Sequence, residues 1–169
     1  VSASPGSRGR VLGAVCSMYR RSEYGEMRDG LNAGLPSDRF QVDWWIHSRR
    51  VERRLGKRPR RPLKLENFSK AALQPLYSPH EAGAPSPAGP WLRPPEHFSP
   101  LNGKLALAEI PSDFPALKNA EFGLARDWRF FSRELFETAF AAGYIVTDFV
   151  FDQGRSFYVL AHGESTLEQ

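Results

Sequence analysis

The sequence predicts an α/β domain of the α+β kind: a mixed, largely antiparallel sheet with two or three helices. Three observations predict it. Residues 121–142 carry apolar side chains at helical spacing, residues 39–46 alternate polar with apolar, and residues 144–161 read as two strands about a turn that ends in glycine. The chain has groups to bury in such an arrangement. Its 169 residues include twelve Phe, four Trp and five Tyr, and 41% hydrophobic with 25% charged content is the mix of one ordinary domain.

Taken in order, residues 1–10 are rich in Ser, Gly, Pro and Arg and read as a loose tail. Residues 11–169 are expected to form one domain. Residues 11–19 (VLGAVCSMY) are short and apolar, with Val11 and Val15 β-branched, and predict a strand. Residues 23–37 carry Gly25, Gly30, Gly34 and Pro36 and predict a loop with room for one helical turn. Residues 39–46 (RFQVDWWI) predict a strand whose buried face is Phe40, Val42, Trp44 and Ile46. Ser48 then caps a short basic helix, RRVERRL, which Gly56 can end and which Pro59 and Pro62 stop. Eight prolines between residues 74 and 103 predict a long surface excursion, partly polyproline-like and without a regular element. Residues 104–110 (KLALAEI) predict a strand that stops at Pro111, and Ser112 or Asp113 caps a short helical stretch over 113–120. In the long helix, Leu124, Trp128, Phe131, Leu135, Ala139 and Ala142 form one stripe, and Gly143 is placed to end it. Residues 144–151 and 155–161 are strands joined by a three-residue loop, Asp152-Gln153-Gly154.

Several function classes are excluded or disfavoured. No apolar run approaches the roughly 20 residues that cross a bilayer, so no membrane partner is expected. Residues 1–10 lack the apolar core of a secretory signal. Cys16 is the only cysteine, which rules out an internal disulfide and a thiolate metal site and fits a reducing, cytoplasmic location. His47, His80, His97 and His162 show no metal-ligand spacing, and there is no Gly-x-Ser-x-Gly elbow. The net charge of +4 is uneven: residues 49–64 carry +8, so the remainder is −4. That basic segment suits an anionic partner such as nucleic acid. Its prolines and its lack of interleaved aromatics favour a solvated helix and linker instead.

A resemblance rests on longer stretches. They are Leu12-Gly13-Ala14-Val15 with Tyr19, Tyr24-Gly25-Glu26-Met27, and the block from Asp29 to Phe40 (DGLNAGLPSDRF) that runs on to Asp43-Trp44-Trp45. Arg50-Val51, Glu109-Ile110-Pro111, Asp113-Phe114 and the block from Phe140 to Phe149 continue it in order. Over about residues 11–160 the chain resembles the C-terminal half of a family of GNAT-superfamily N-acetyltransferases. The resemblance implies acyl transfer from acetyl-CoA or another acyl-CoA to a small amine. It also implies that the acyl-CoA-binding half lies upstream of the matched region. That half carries a Gln/Arg-x-x-Gly-x-Gly/Ala phosphate loop, in which glycine lets the backbone approach the pyrophosphate. The nearest match here, residues 8–14, has Val11 at the first required glycine and runs into a strand, so no cofactor-binding residue is assigned and no strong acyl-CoA binding is expected of this chain alone. No catalytic residue carries over either. A truncated or frameshifted reading of a longer enzyme, or a stand-alone remnant, would account for the loss of resemblance near residue 11. The missing half would leave an open sheet edge or apolar face, which predicts a homo-oligomer.

Within the acceptor-side reading, Asp38, Arg39, Asn32, Tyr24 and Trp45 are the candidate substrate-binding residues. Arg39 can hold a substrate carboxylate in a bidentate fork, or it can pair with Asp38 to fix the strand start. Asn32 and Tyr24 either face the acceptor or serve turn chemistry. Of Trp44 and Trp45, on opposite faces, one belongs to the core and the other to a pocket or to the second face. Asp148 and Thr147 lie mid-strand in an apolar run, where a carboxylate needs a partner or a function.

Overall fold

A computed structural model describes residues 14–26, 28, 33–44, 64–67, 73–75 and 91–162. The predicted tail, the basic helix, most of the basic segment and half of the proline-rich excursion lie outside the described residues, as do Asn32, Trp45 and Ile46.

Among the described residues, six strands and two helices follow one another as β1 (Ala14–Arg20), β2 (Arg39–Trp44), β3 (Leu73–Pro75), β4 (Leu105–Ile110), α1 (Phe114–Ala120), α2 (Phe122–Ala141), β5 (Tyr144–Asp152) and β6 (Arg155–His162). A 3-10 turn, Leu65–Asn67, precedes β3. The strands form one sheet in the order β2-β1-β5-β6-β4-β3. Every pairing is antiparallel except β3 with β4. The class is therefore α+β with a mixed, largely antiparallel sheet, as the alternation and the long helical stripe predict.

α2 forms because one of its faces is apolar. Leu124, Ala125, Trp128, Phe131, Leu135, Phe136 and Ala139 are buried, and they pack on Ala106, Ala108, Tyr144, Val146 and Leu160 of the sheet. Ala142, placed in this stripe by its spacing, is exposed: the helix has ended and Gly143 has turned the chain at φ +83. α1 is capped by Asp113, whose Oδ1 accepts from the Ala116 amide at 3.0 Å. Glu121 closes α1 and opens α2. The second face of the sheet buries Leu107, Val150, Phe157 and Val159, with Leu65 of the 3-10 turn packed against them.

Three expectations are corrected. The β5–β6 turn has two residues, Gln153 and Gly154, because Asp152 pairs with Arg155. Both turn residues have positive φ, +49 and +78, which suits the tight hairpin that follows the twist of the strands. The excursion does hold a regular element: β3 ends on Pro75 at the outer edge of the sheet, where a missing N–H can be tolerated. Trp44 is 62% exposed and not part of a buried face. β2 is the other edge strand among the described residues, so Trp44 has no sheet neighbour beyond it.

The sheet is continuous but unequal. β5 and β6 pair along their whole length, and β1 and β2 pair from Ala14↔Trp44 to Arg20↔Arg39. Among the described residues, β1 meets β5 in one Cα pair, Cys16↔Val146. Bulges flank that contact: the register shifts between Cys16 and Met18 on β1 and between Val146 and Asp148 on β5. Thr147, the extra residue of the second bulge, is buried.

Candidate functional site

The described part of the block that carries the resemblance, residues 33–40, folds into a polar knot under α2. Its Leu35, Ser37 and Asp38 are buried. Ser37 Oγ accepts from the Tyr24 amide and donates to the Gly25 carbonyl, and an isolated bridge joins Glu26 to Pro36. The loop before β1's partner strand is thereby closed on itself. Asp38, at the strand entrance, has a side chain with no exposed surface. Its carboxylate accepts two N–H bonds from Arg133 of α2, both 2.9 Å, one from the Tyr19 hydroxyl at 3.0 Å and one from the Ser22 amide at 3.0 Å. Burial alone would raise its pKa. The bonds from Arg133, Ser22 and Tyr19 outweigh burial and hold it below the usual carboxylate range.

The expected Arg39–Asp38 pair is corrected by this geometry. Arg39 donates to the Asp38 main-chain carbonyl at 2.8 Å, and its guanidinium lies 5.5 Å from the centre of the Tyr24 ring. The Asp38 carboxylate belongs to Arg133, which α2 places over it. Beside this pair, Arg21 takes Glu137 in a second bidentate fork. Arg129 of α2 is half-buried and faces the Phe114 ring at 5.1 Å. Of the predicted site residues, the structure thus brings Asp38, Arg39 and Tyr24 together with Tyr19, Arg21, Arg129 and Arg133. Tyr24 is 67% exposed, so its ring forms the rim of the group. Asn32 and Trp45 lie outside the described residues.

A second polar site was not foreseen. Glu109 on β4 is buried, and both of its oxygens accept from Arg155 of β6 at 2.7 Å. The pair lines a cavity of about 200 Å³, together with Trp91, Trp128, Leu117 and Asp113. Trp128 is fixed there by its Nε1–H bond to the Leu92 carbonyl at 2.7 Å. The signal was present in the sequence. Glu109 interrupts the apolar strand LALAEI, and a carboxylate in such a run needs a partner, the same argument that was applied to Asp148. Asp148 itself is only partly buried.

The N-termini of the two described helices are poorly suited to the pyrophosphate of an acyl-CoA. Such a group needs free backbone amides at a helix N-terminus and no carboxylate beside them. Both described helices carry an acidic N-cap residue, Asp113 on α1 and Glu121 on α2. The nearest relative of a phosphate loop in the sequence, residues 8–14, lies outside the described residues except for Ala14. Among the described residues there is also no group of three or more His, Cys, Asp or Glu that could hold a metal ion, and no helix long and apolar enough to cross a membrane.

No protein-family model, no curated protein and no solved structure matches this chain.

Proposed function

We propose that the chain is the acceptor-side part of a GNAT-like N-acyltransferase: it holds the amine, and the acyl-CoA is bound by residues other than those described. The cavity beside Glu109 carries the reading. Its walls offer two indole rings, the aliphatic Leu117, and two carboxylates, Glu109 and Asp113, against the single cation Arg155. An ammonium group gains from carboxylates and from aromatic faces, while its apolar body gains from the indoles and Leu117. Both Glu109 oxygens already accept from Arg155, so this carboxylate serves as an electrostatic wall and an anchor for the cavity. No proton transfer is assigned to it. The acidic helix caps support placing the acyl-CoA elsewhere.

Two titrations test the reading. The first follows tryptophan fluorescence while phenethylamine, tyramine or phenylacetate is added. Saturable quenching by the amines, absent with phenylacetate and lost in Trp91→Ala, is expected. Equal response to the amines and the acid, or none, overturns the assignment. The second is calorimetry with acetyl-CoA, for which no binding in the micromolar range is expected. Micromolar binding would mean that the chain builds its own cofactor cleft, and the division into acceptor and cofactor parts would fall.

A further inference from the structure

The cavity beside Glu109 is graded from floor to mouth. Leu117 and Trp128 on its floor are buried, while Ser112, Asp113 and Gly154 at its mouth are exposed. The floor is also rigid. The Trp128 indole is held by the Leu92 carbonyl at 2.7 Å and meets the Phe131 ring edge-on, with 5.9 Å between centres. Trp91, half-buried, is the second aromatic wall. The volume of about 200 Å³ exceeds by a little the roughly 150 Å³ of an apolar cavity that takes up benzene. There is room for one aromatic ring and a short chain.

The charges fix which way such a ligand points. Among the residues that line the cavity, Glu109, Asp113 and Arg155 are charged. Glu109 and Arg155 answer each other in a two-bond fork. The remaining negative charge is on Asp113, at the mouth. Its Oδ1 accepts from the Ala116 amide at 3.0 Å, and among the described residues nothing donates to its Oδ2. The positive end of α1 opposes a cation here only weakly. The helix is seven residues long, Pro115 has no N–H, and the Ala116 amide is already met.

We propose that the cavity selects a primary amine carrying one aromatic ring, with the ring on the Trp128 floor and the ammonium on Asp113 Oδ2. Asp113, not Glu109, is then the residue that binds the cation. This assignment rests on the amine reading of the cavity and adds to it the binding residue and the class of ring. Ring against indole gains an edge or offset contact that a saturated ring lacks, and an ammonium has three N–H donors for the carboxylate.

Calorimetric titration of the whole chain with phenethylamine, phenethyl alcohol and cyclohexylethylamine tests it. The alcohol keeps the ring and drops the charge, and the cyclohexyl amine keeps the charge and drops the aromatic face. An ion pair at an exposed rim is modest, so phenethylamine should bind about fivefold more tightly than the alcohol. It should bind about threefold more tightly than the cyclohexyl amine. Asp113→Asn separates charge from structure, because Asn caps a helix as well as Asp does. Its melting should stay level, and it should bind phenethylamine and the alcohol equally. An amine advantage that survives in Asp113→Asn overturns the Asp113 assignment and leaves the amine reading standing. Equal binding of the two amines by the parent overturns the aromatic class. Silence from all three ligands overturns the amine reading and this assignment together. Should Asp113→Asn fail to fold, NMR of the parent decides. The Asp113 carboxyl carbon resonance must shift with phenethylamine more than with the alcohol, and equal shifts or none overturn the assignment.

Discussion

Asp38 takes four hydrogen bonds on a carboxylate that has no exposed side-chain surface. Replacing it by Asn keeps the shape but cannot satisfy the Arg133 fork, and leaves a partly buried guanidinium unpaired. Asp38→Asn should destabilise the protein by about 3–5 kcal/mol, measured by urea unfolding. The pH dependence has a definite sign. The folded pKa of Asp38 lies below its unfolded value of about 4, so its contribution is complete above that pH and is lost as pH falls through the folded pKa. The acid limb of a stability–pH curve should therefore flatten in Asp38→Asn, and an unchanged limb would remove Asp38 from the account. Cys16 behaves oppositely. Burial, with Asp43 nearby, pushes its thiol up to about 11, so at pH 8 the native protein should alkylate far more slowly than the unfolded chain, as a timed iodoacetamide assay would show. The dipeptide Asp38-Arg39 was legible as a chemical feature. Its real partner was not, because Arg133 is 95 residues downstream and only the docking of α2 brings it near.

Elements whose signal lies within themselves were legible. α2 runs over Phe122–Ala141 because its stripe and its terminal glycine are both local facts. β4, β5 and β6 likewise stand within a residue or so of their expected bounds. β3 was not legible: three residues ending in Pro75 have no periodicity, and β4 alone makes them a strand. The hairpin turn was misread by one residue because sequence cannot show whether Asp152 pairs across to Arg155. That correction yields a prediction at this scale. Gln153 sits at φ +49, a conformation that Asn and Gly adopt more readily. Gln153→Asn should raise stability by about 0.5 kcal/mol, and Gly154→Ala, at φ +78, should lower it by about 1 kcal/mol. Thermal melting of the two variants checks both signs.

At the scale of the molecule, part of the apolar exposure lies on the described sheet. Trp44 and Met18 are exposed on the β1–β2 pair, and Phe151 is 61% exposed at the far end of β5. An open edge strand next to an exposed Trp is a surface that another strand can extend. We propose that copies of the chain associate there. Sedimentation equilibrium at micromolar concentration should report a dimer or larger species, and Trp44→Lys should shift it toward monomer; a monomeric parent would contradict the proposal. The Cα pair Cys16↔Val146, with a bulge on either side, has a consequence of another kind. Among the described residues the sheet is two ribbons joined by one strand pair, backed by Phe40 packed on Phe136 and Tyr158 and by the side-chain clasps Asp38–Arg133 and Arg21–Glu137. Hydrogen exchange should therefore divide the chain in two. Amides of β1 and β2 would open together at a lower free energy than those of β5 and β6, and opening the Asp38 clasp would widen that gap without touching the second ribbon.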